Sequence, residues 1–309
     1  MSSMKNSDIG IAILTYNSAH HLPHCLPPLK GYKVLVVDPD SKDDTVSIAK
    51  EWGAEVLSIP YREFNHGLTR EKARQHLGTD IVVFMTPDAY GKSGFLEKLV
   101  APIKEGKADL AYARQLPKPQ ASPFEALPRL LNYPESGHIR SWEDRAAWSS
   151  FLFFFSDSCS AYSNEALDKI GGFAECLLGE DALACAKILK QGGKVAYVAE
   201  AEVYHSHTYS LLQEFRRYFD TGLARRDMAP FLAEVGKDGH YGQQFARKFL
   251  SSLKAEELPY GVVQLGAKWL GYQIGRFLGP HLSTRIKKAL SSQKFYWDSI
   301  PYKNVSKKK

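Results

Sequence analysis

The sequence predicts an α/β fold built on a mostly parallel sheet. Short, continuous apolar runs such as Ile9–Leu14 are typical of strands that are buried on both faces of a parallel sheet. Segments of helical length separate these runs, as expected of βαβ units with right-handed crossovers. Polar clusters directly follow several runs, at the carboxyl ends where such sheets bind ligands.

The elements alternate through the first half of the chain. Strands are predicted at 9–14, 32–37, 55–59, 80–85 and 109–113, and helices at 20–29, 45–52, 67–76 and 95–104. The proline-rich stretch 115–123 predicts a connecting loop. A helix at 180–191 and a strand at 194–198 follow, and apolar residues recur at helical spacing from 211 onwards.

Composition places the chain among ordinary globular proteins. Its 309 residues permit one large α/β domain with an extension or two modest domains, and the content of 44% hydrophobic and 24% charged residues excludes a disordered chain. The four cysteines form no CxxC pair, so we expect a reducing compartment. No signal peptide is predicted, and the strongly apolar run 151–155 is too short to span a bilayer, which needs ~20 residues. A cytoplasmic protein is expected.

Positive charge is concentrated near the end of the chain, including Lys307, Lys308 and Lys309. Charge is the only feature that favours nucleic-acid binding, because the tail has no interleaved aromatic residues and no recognised motif. We therefore expect no nucleic-acid partner.

Several common nucleotide and hydrolase motifs are missing. The sequence contains no GxxxxGK[ST], no GxGxxG and no GxSxG, so the usual ATPase, dinucleotide and α/β-hydrolase interpretations lose their main support. Carboxylates and histidines at the ends of predicted strands remain as the candidates for chemistry.

Two of these clusters are candidates for nucleotide binding. Thr15, Tyr16 and Asn17 follow the first strand, and Asp38 and Asp40 follow the second. A carboxylate there can accept a hydrogen bond from a nucleobase N–H or a ribose hydroxyl. Acidic residues are also common in loops that precede helices, and that explanation stays open.

A third cluster is a candidate for metal binding. Asp88 follows the fourth strand, where its carboxylate could hold Mg²⁺ or Mn²⁺. His205 and His207 could complete the site if the chain between them is extended, and imidazole suits Mn²⁺ better than Mg²⁺. A structural role for the histidines is the alternative.

Two predicted helices begin with polar residues. Glu180 and Asp181 open one helix, where negative charge is favourable in any case, and one of them could act as a general base. His66, Gly67 and Arg70 lie at the start of another helix, where they could present donors to a pyrophosphate.

Taken in order, these motifs resemble those of the family 2 glycosyltransferases of GT-A fold, and within that family the bacterial rhamnosyltransferases. The Phe-Asn-His-Gly and His-Ser-His pieces are narrower than the others and favour the rhamnosyl group. The matching segments are 13–17, 36–45, 64–67, 84–89, 179–181, 205–207 and 217–219.

The resemblance implies a role for each position. Nucleotide-sugar binding falls to Thr15, Tyr16, Asn17, Asp38, Asp40, His66, Gly67 and Arg70. A divalent cation, Mg²⁺ or Mn²⁺, is assigned to Asp88 and His207, with His205 as the less favoured ligand. Asp181 is assigned as the catalytic base with Glu180 beside it.

The sequence departs from the family pattern at two places. The metal motif usually written Asp-x-Asp is Thr86-Pro87-Asp88 here, so the first acid is absent, and rhamnosyltransferases of this type tend to have Gln before the final Asp. Pro39 stands beside Asp38, so the carboxylate that recognises the base is either Asp38 or Asp40.

The implied fold is a Rossmann-like GT-A sheet flanked by helices, with a C-terminal helical extension. The implied domains are a catalytic domain at 1–222, divided into a nucleotide-binding half at 1–114 and an acceptor-binding half at 115–222, and the extension at 223–309. The implied activity is inverting transfer of L-rhamnose from dTDP-L-rhamnose to a saccharide, with a lipid-linked acceptor among the alternatives, in cell-surface polysaccharide synthesis such as that of O-antigen. A UDP-hexose donor, or a non-catalytic nucleotide- or glycan-binding module, stays open.

The segment Val262–Leu278 mixes aromatic and aliphatic residues with sparse positive charge. It could lie in a membrane interface with its basic side chains near lipid phosphates. An amphipathic helix packed on the catalytic domain explains the same pattern. The resemblance favours the membrane, which predicts a peripheral protein on the inner face of the cytoplasmic membrane.

Overall fold

A computed structural model describes residues 8–235 and 239–306 of the protein. The predicted α/β fold with a helical C-terminal extension is confirmed. The basic tail at Lys307, Lys308 and Lys309 lies outside the described residues. The strands of the sheet are β1 (Ile9–Leu14), β2 (Lys33–Asp38), β3 (Glu55–Ser58), β4 (Ile81–Met85), β5 (Tyr90–Gly91), β6 (Leu110–Leu116), β7 (His138–Arg140), β8 (Cys159–Ser163) and β9 (Val195–Tyr204).

The helices cover both faces of the sheet and form the extension. They are α1 (Leu22–Cys25), α2 (Thr45–Trp52), α3 (His66–Leu77), α4 (Phe95–Lys104), α5 (Pro123–Asn132), α6 (Arg145–Trp148), α7 (Asn164–Lys169), α8 (Glu180–Lys190), α9 (Leu211–Ala224), α10 (Ala229–Val235), α11 (Gly239–Ser251), α12 (Leu258–Gln273), α13 (Thr284–Leu290) and α14 (Ile300–Ser306). Two apolar cores, one on each face of the sheet, hold these layers together.

The sheet has the strand order β3-β2-β1-β4-β8-β6-β9-β5, with β7 paired to β9. The β3-β2-β1-β4 half is parallel, so the carboxyl ends of β1, β2 and β4 lie along one edge, as the sequence predicts. β8 pairs antiparallel with both β4 and β6 and so joins the two halves of the sheet.

Several sequence predictions differ from the structure. The helix expected at 20–29 is instead α1 and a 3₁₀ turn at Pro27–Leu29, because neither Pro27 nor Pro28 can donate a helical hydrogen bond. The loop expected at 115–123 begins two residues late, because Gln115 and Leu116 pair with β9. The strand expected at 194–198 continues to Tyr204 as β9, and the strands β5, β7 and β8 were not predicted.

The extension packs against the catalytic part of the chain through α9 and α12. Gly222 of α9 and Gly271 and Gly275 on the α12 side lie so close to the opposite backbone that a side chain at any of them would collide with a carbonyl oxygen. A π-helical turn, Ile274–Leu278, continues α12. The domain boundary expected at residue 222 falls inside α9, which therefore belongs to both predicted domains.

The polarity of α12 is the reverse of that of an ordinary surface helix. Its packed face consists of glycines with Gln264 and Lys268, which are only 2% and 6% exposed and contact the Glu214 carboxylate. Its outer face carries Trp269, which is 63% exposed, and Phe277 in the adjoining turn, which is 61% exposed. The expectation that Lys268 faces lipid phosphates is therefore wrong, because its ammonium group is buried in an ion pair.

Within the described residues, no helix combines the length and the apolar character that crossing a bilayer requires.

Replacing Gly271 by alanine tests the close contact between α9 and α12. The added methyl would meet the Phe215 carbonyl oxygen, so we expect the free energy of unfolding to fall by ~1–3 kcal/mol. Gly266→Ala on the same helix is the matched control, because nothing lies near that position and alanine favours a helix by ~1 kcal/mol. Urea denaturation measures both. Equal stability of the two variants would contradict the close packing.

Candidate active site

The loops after β1 and β2 are tied together by a buried carboxylate. Asp38 accepts hydrogen bonds from the Thr15 hydroxyl (2.9 Å), the Ser41 amide (2.8 Å) and the Ser41 hydroxyl (2.6 Å). Its side chain is almost inaccessible to solvent. Asp38 therefore fixes the shape of the loop, whichever ligand the loop binds.

The accessible groups of this edge are Tyr16, Asn17 and Asp40. Asn17 and Asp40 both adopt positive φ. The backbone amide of Asn17 donates a hydrogen bond to the Ser41 hydroxyl (2.7 Å), which joins the two loops. The Tyr16 ring packs against Tyr61 with 5.0 Å between the ring centroids. The edge thus combines an aromatic surface with an exposed carboxylate.

Asp88, His205 and His207 come together as the sequence predicts. The His205 Nε2 lies 3.6 Å from one carboxylate oxygen of Asp88, and the His207 Nδ1 lies 3.4 Å from the other. One ligand atom from each residue fits within 4.8 Å of the others. These separations are longer than normal hydrogen bonds and match the spacing of ligands around one cation.

The protonation of the two histidines suits metal binding. The His205 Nδ1 lies 2.8 Å from the Gln115 side-chain oxygen, which makes Nδ1 the donor and leaves the Nε2 lone pair toward Asp88. Burial lowers the pKa of His205, and burial with the neighbouring His205 lowers the pKa of His207 to about 3. Burial opposes ionisation of Asp88, but its contacts with the two histidines lower its pKa. Two neutral imidazoles and one carboxylate are a suitable donor set for a divalent cation.

A buried cluster of charges lies beneath the start of α8. The Arg70 guanidinium forms an ion pair with Asp157 at 2.9 Å and a second, closer one with Glu180. All three side chains are nearly inaccessible. The structure thus places Arg70, which the resemblance puts near the diphosphate, between two carboxylates of the protein.

Asp181 is the third acid near this single cation. Its carboxylate accepts hydrogen bonds from the backbone amides of Asp157 (3.3 Å) and Ala182 (2.7 Å) and is half-buried. Burial and the charges of Glu180 and Asp157 raise the pKa of Asp181 to about 8, against the opposing effect of Arg70. One guanidinium cannot neutralise three carboxylates, so Asp181 holds a proton more tightly than an ordinary aspartate.

Hydrogen bonds and the peptide bond between Ser156 and Asp157 link Asp181 to His205 of the candidate metal site. Gln115, which orients His205, also donates to the Ser156 hydroxyl at 2.9 Å. Ser156 directly precedes Asp157, whose amide donates to Asp181. The carboxylate that could act as a base and the group that could hold a cation therefore belong to one connected network.

His66 and Gly67 lie at the start of α3, beside the extension. The His66 ring contacts Phe295 with 5.9 Å between centroids, and the Gln293 side chain lies beside it. Gly67 packs on the Ala174 carbonyl, which leaves no space for a side chain. Burial lowers the pKa of His66, so the ring is neutral at pH 7.

Sequence reasoning missed four residues of this site: Gln115, Asp157, Gln293 and Phe295. Asp157 lies between the apolar run 151–155 and the strand β8, and this position beside a strand was the only sequence feature that could have marked it as a site residue. Gln115 was expected in a loop. Nothing local marks Gln293 or Phe295, which reach the site only through the fold of the extension.

The glycosyl transferase family 2 sequence profile matches residues 10–171. This match covers more than half of the chain and includes Asp88 and Asp157. The chain belongs to glycosyl transferase family 2. It is a glycosyltransferase of GT-A fold.

Two curated relatives are similar to this family 2 glycosyltransferase over most of its length. The O-antigen chain rhamnosyltransferase RfbN of Salmonella typhimurium is 32% identical over 306 residues, which is 95% of this chain and 97% of that protein. The O-antigen chain rhamnosyltransferase WbaN of Salmonella anatum is 33% identical over 276 residues, or 87% of each chain.

Solved structures share the fold at low identity. The crystal structure of S. aureus TarS 1-349 gives a TM-score of 0.55 at 16% identity and covers 97% of this chain and 92% of that one. The mannosyltransferase PcManGT from Pyrobaculum calidifontis, solved with GDP-Man and Mn²⁺, gives a TM-score of 0.53 at 17% identity and covers 98% and 88%.

Replacing Asp88 by asparagine tests the candidate metal site. The variant loses the only anionic ligand of the three, so we expect its affinity for Mn²⁺ to fall by ~10-fold or more. Asp80→Asn, at the exposed opposite end of β4, is the matched control and should bind Mn²⁺ as the original protein does. Calorimetric titration with Mn²⁺ measures both variants. Unchanged binding by Asp88→Asn would place the cation elsewhere.

Proposed function

We propose that the protein transfers L-rhamnose from dTDP-L-rhamnose to the hydroxyl of a saccharide acceptor, with inversion at the anomeric carbon. The observation that carries this proposal is Asp181, a carboxylate of raised pKa whose backbone donor, Asp157, is linked through Ser156 and Gln115 to His205 of the Asp88–His205–His207 group. A base and a cation site are what a single displacement from a nucleotide sugar requires. Both relatives of this length are named as O-antigen chain rhamnosyltransferases, which supports the choice of sugar.

Asp181 takes the proton from the acceptor hydroxyl as that oxygen attacks the anomeric carbon. The backbone amides of Asp157 and Ala182 hold the carboxylate in place. The neighbouring charges of Glu180 and Asp157 make it a stronger base than an isolated aspartate. Glu180 and Arg70 form a buried ion pair with each other, so their charges are already balanced within the protein. We therefore assign both residues to positioning the base.

Asp88, His205 and His207 would hold Mg²⁺ or Mn²⁺ beside the diphosphate of the donor. When bound, the cation neutralises the negative charge that develops on the leaving nucleoside diphosphate. PcManGT, which shares the fold, was solved with Mn²⁺ and a nucleotide sugar, in agreement with this assignment. Gln115 keeps the His205 ring oriented for the task.

The nucleotide would lie along the edge formed by the loops after β1 and β2. Tyr16 and Tyr61 offer aromatic surface to the base, and Asn17 and Asp40 offer polar atoms to the base or the ribose. The buried hydrogen bond from the Thr15 hydroxyl to the Asp38 carboxylate holds the two loops of this edge together. His66 and Gly67, at the start of α3, are assigned to the diphosphate end of this edge.

We also propose that the protein acts as a peripheral enzyme on the inner face of the cytoplasmic membrane, where a lipid-linked acceptor would be found. The outer face of α12 and the following turn is apolar while its packed face is polar, which is the arrangement expected of a helix that meets lipid. Apart from the buried Lys268, the stretch from 258 to 297 contains five Lys or Arg residues and no Asp or Glu, so its charge is complementary to anionic lipid. Trp269 and Phe277 are the largest side chains on this face.

Replacing Asp181 by asparagine tests the base. The amide keeps the shape of the carboxylate but cannot accept the proton, so we expect transfer from dTDP-L-rhamnose to fall by ~10²–10⁴-fold while dTDP binding is retained. Below pH 8 the unaltered enzyme should lose activity about tenfold per pH unit, because the raised pKa leaves less of Asp181 deprotonated as the pH falls.

A donor panel and calorimetric binding of dTDP accompany that measurement. Normal turnover by Asp181→Asn would remove Asp181 from the mechanism. Transfer from UDP-hexoses with none from dTDP-L-rhamnose would identify a different donor.

Replacing Trp269 and Phe277 together by serine tests the membrane face. Loss of two large apolar side chains should weaken binding to vesicles of phosphatidylglycerol by ~10-fold or more. Leu130→Ser, at a half-exposed leucine of α5, is the control and should bind as before. Vesicle co-sedimentation measures binding and analytical ultracentrifugation measures the oligomeric state. A dimer that becomes a monomer in the double variant would assign the face to a second copy of the chain.

A further inference from the structure

A cleft of about 370 Å³ lies between α9 and the loop that follows α13. One wall consists of Tyr209, Gln213, Arg216 and Arg217, and the other includes Gln293 and Lys294. Gln293 also lies beside His66 of the nucleotide site, but the other five residues have no place among the nucleotide, metal or base positions assigned above.

The loop wall is held firmly in place. Asp220 of α9 accepts hydrogen bonds from the amide (2.8 Å) and hydroxyl (2.6 Å) of Ser292 and from the amide of Gln293 (3.2 Å). The Asp220 carboxylate is buried and faces these groups. The cleft is therefore a built feature of the fold, because a buried carboxylate fixes its second wall to its first.

The cleft is strongly cationic. Arg216, Arg217 and Lys294 line it, and within residues 8–235 and 239–306 none of the three forms an ion pair with a carboxylate. The Arg217 guanidinium instead lies over the Tyr209 ring, 4.3 Å from its centroid. The nearest acid on the same turn of α9, Glu214, is buried on the opposite side with Lys268. Three cations left without a protein anion around one cleft indicate an anionic ligand.

The cleft adjoins the reaction centre at two points. The Tyr209 ring lies 5.2 Å from the ring of His207, a candidate metal ligand. The Gln293 side chain lies beside that of His66. On its other side α9 packs against α12, whose outer face is the proposed membrane surface. The cleft thus lies between the site of transfer and the apolar face of the extension.

We propose that this cleft binds the diphosphate group that joins the acceptor saccharide to its lipid carrier. Arginine and lysine side chains recognise phosphate oxygens through charge-assisted hydrogen bonds, and a diphosphate offers enough charge for all three cations. The donor diphosphate already has its own counter-charge in the proposed cation at Asp88 and His207, so the second cationic group is left for the acceptor. The inference rests on the proposed function, because it assumes a lipid-linked acceptor.

The test removes two charges that do not contact the metal site. In the variant Arg216→Gln with Lys294→Gln, we expect the affinity for farnesyl diphosphate to fall by ~10-fold or more, since each charge-assisted contact contributes at least that order. Affinity for dTDP should stay within about twofold, and farnesol should bind both proteins equally weakly. Calorimetric titration of the full chain measures all three probes. Arg226→Gln with Lys254→Gln is the matched control, because both residues are exposed outside the cleft.

Each outcome decides the proposal. Loss of dTDP affinity in place of farnesyl diphosphate affinity would assign the cleft to the donor and overturn it. Unchanged binding of both probes would overturn it as well. The Asp181→Asn variant separates this proposal from the proposed reaction, because it should bind farnesyl diphosphate as before even though transfer is lost. Binding of farnesyl diphosphate through the cleft by a protein that fails to transfer rhamnose would uphold the cleft and refute the reaction.

Discussion

The ion pairs of Arg70 with Asp157 and Glu180 are the interaction on which the reaction centre depends. They join three separate pieces of chain: α3, the segment before β8, and the first turn of α8. Removing one member of such a buried network leaves an unpaired charge, a loss of ~3–5 kcal/mol in comparable proteins. The network therefore fixes the position of Asp181 and, through the excess of acids over cations, its basicity.

A second constraint comes from the close packing of α9 on α12. The glycines at this contact bring the extension against the catalytic part of the chain, so that Gln293 and Phe295 reach His66. The same packing turns the apolar side of α12 outward, because its inner side has to be small or polar to fit against α9 and Glu214. One helix contact thus determines both a wall of the active site and the face proposed to meet the membrane.

The sequence allowed the parallel half of the sheet to be predicted because its signals are local. The apolar run of β1 and the acids that follow β2 and β4 are continuous in sequence, and the parallel order of the strands brings their ends together. The strand β8 escaped prediction because its pairing with β4 is antiparallel and its segment is short and partly polar. The end of β6 was not predicted either, because Gln115 belongs to a strand only through its pairing with β9.

The sequence by itself determined the family pattern, the α/β architecture and the identity of Asp88, Asp181, His205 and His207 as candidates for chemistry. Those residues follow strands or open helices, where local sequence carries the signal. Only the tertiary structure decided that Arg70 faces two protein carboxylates and that Lys268 is buried. It also gathered around one cleft Arg216, Arg217 and Lys294, which form no ion pair with a carboxylate in the described part of the chain. These arrangements join residues far apart in the chain, and burial and charge balance are properties of the packed molecule that no local pattern encodes.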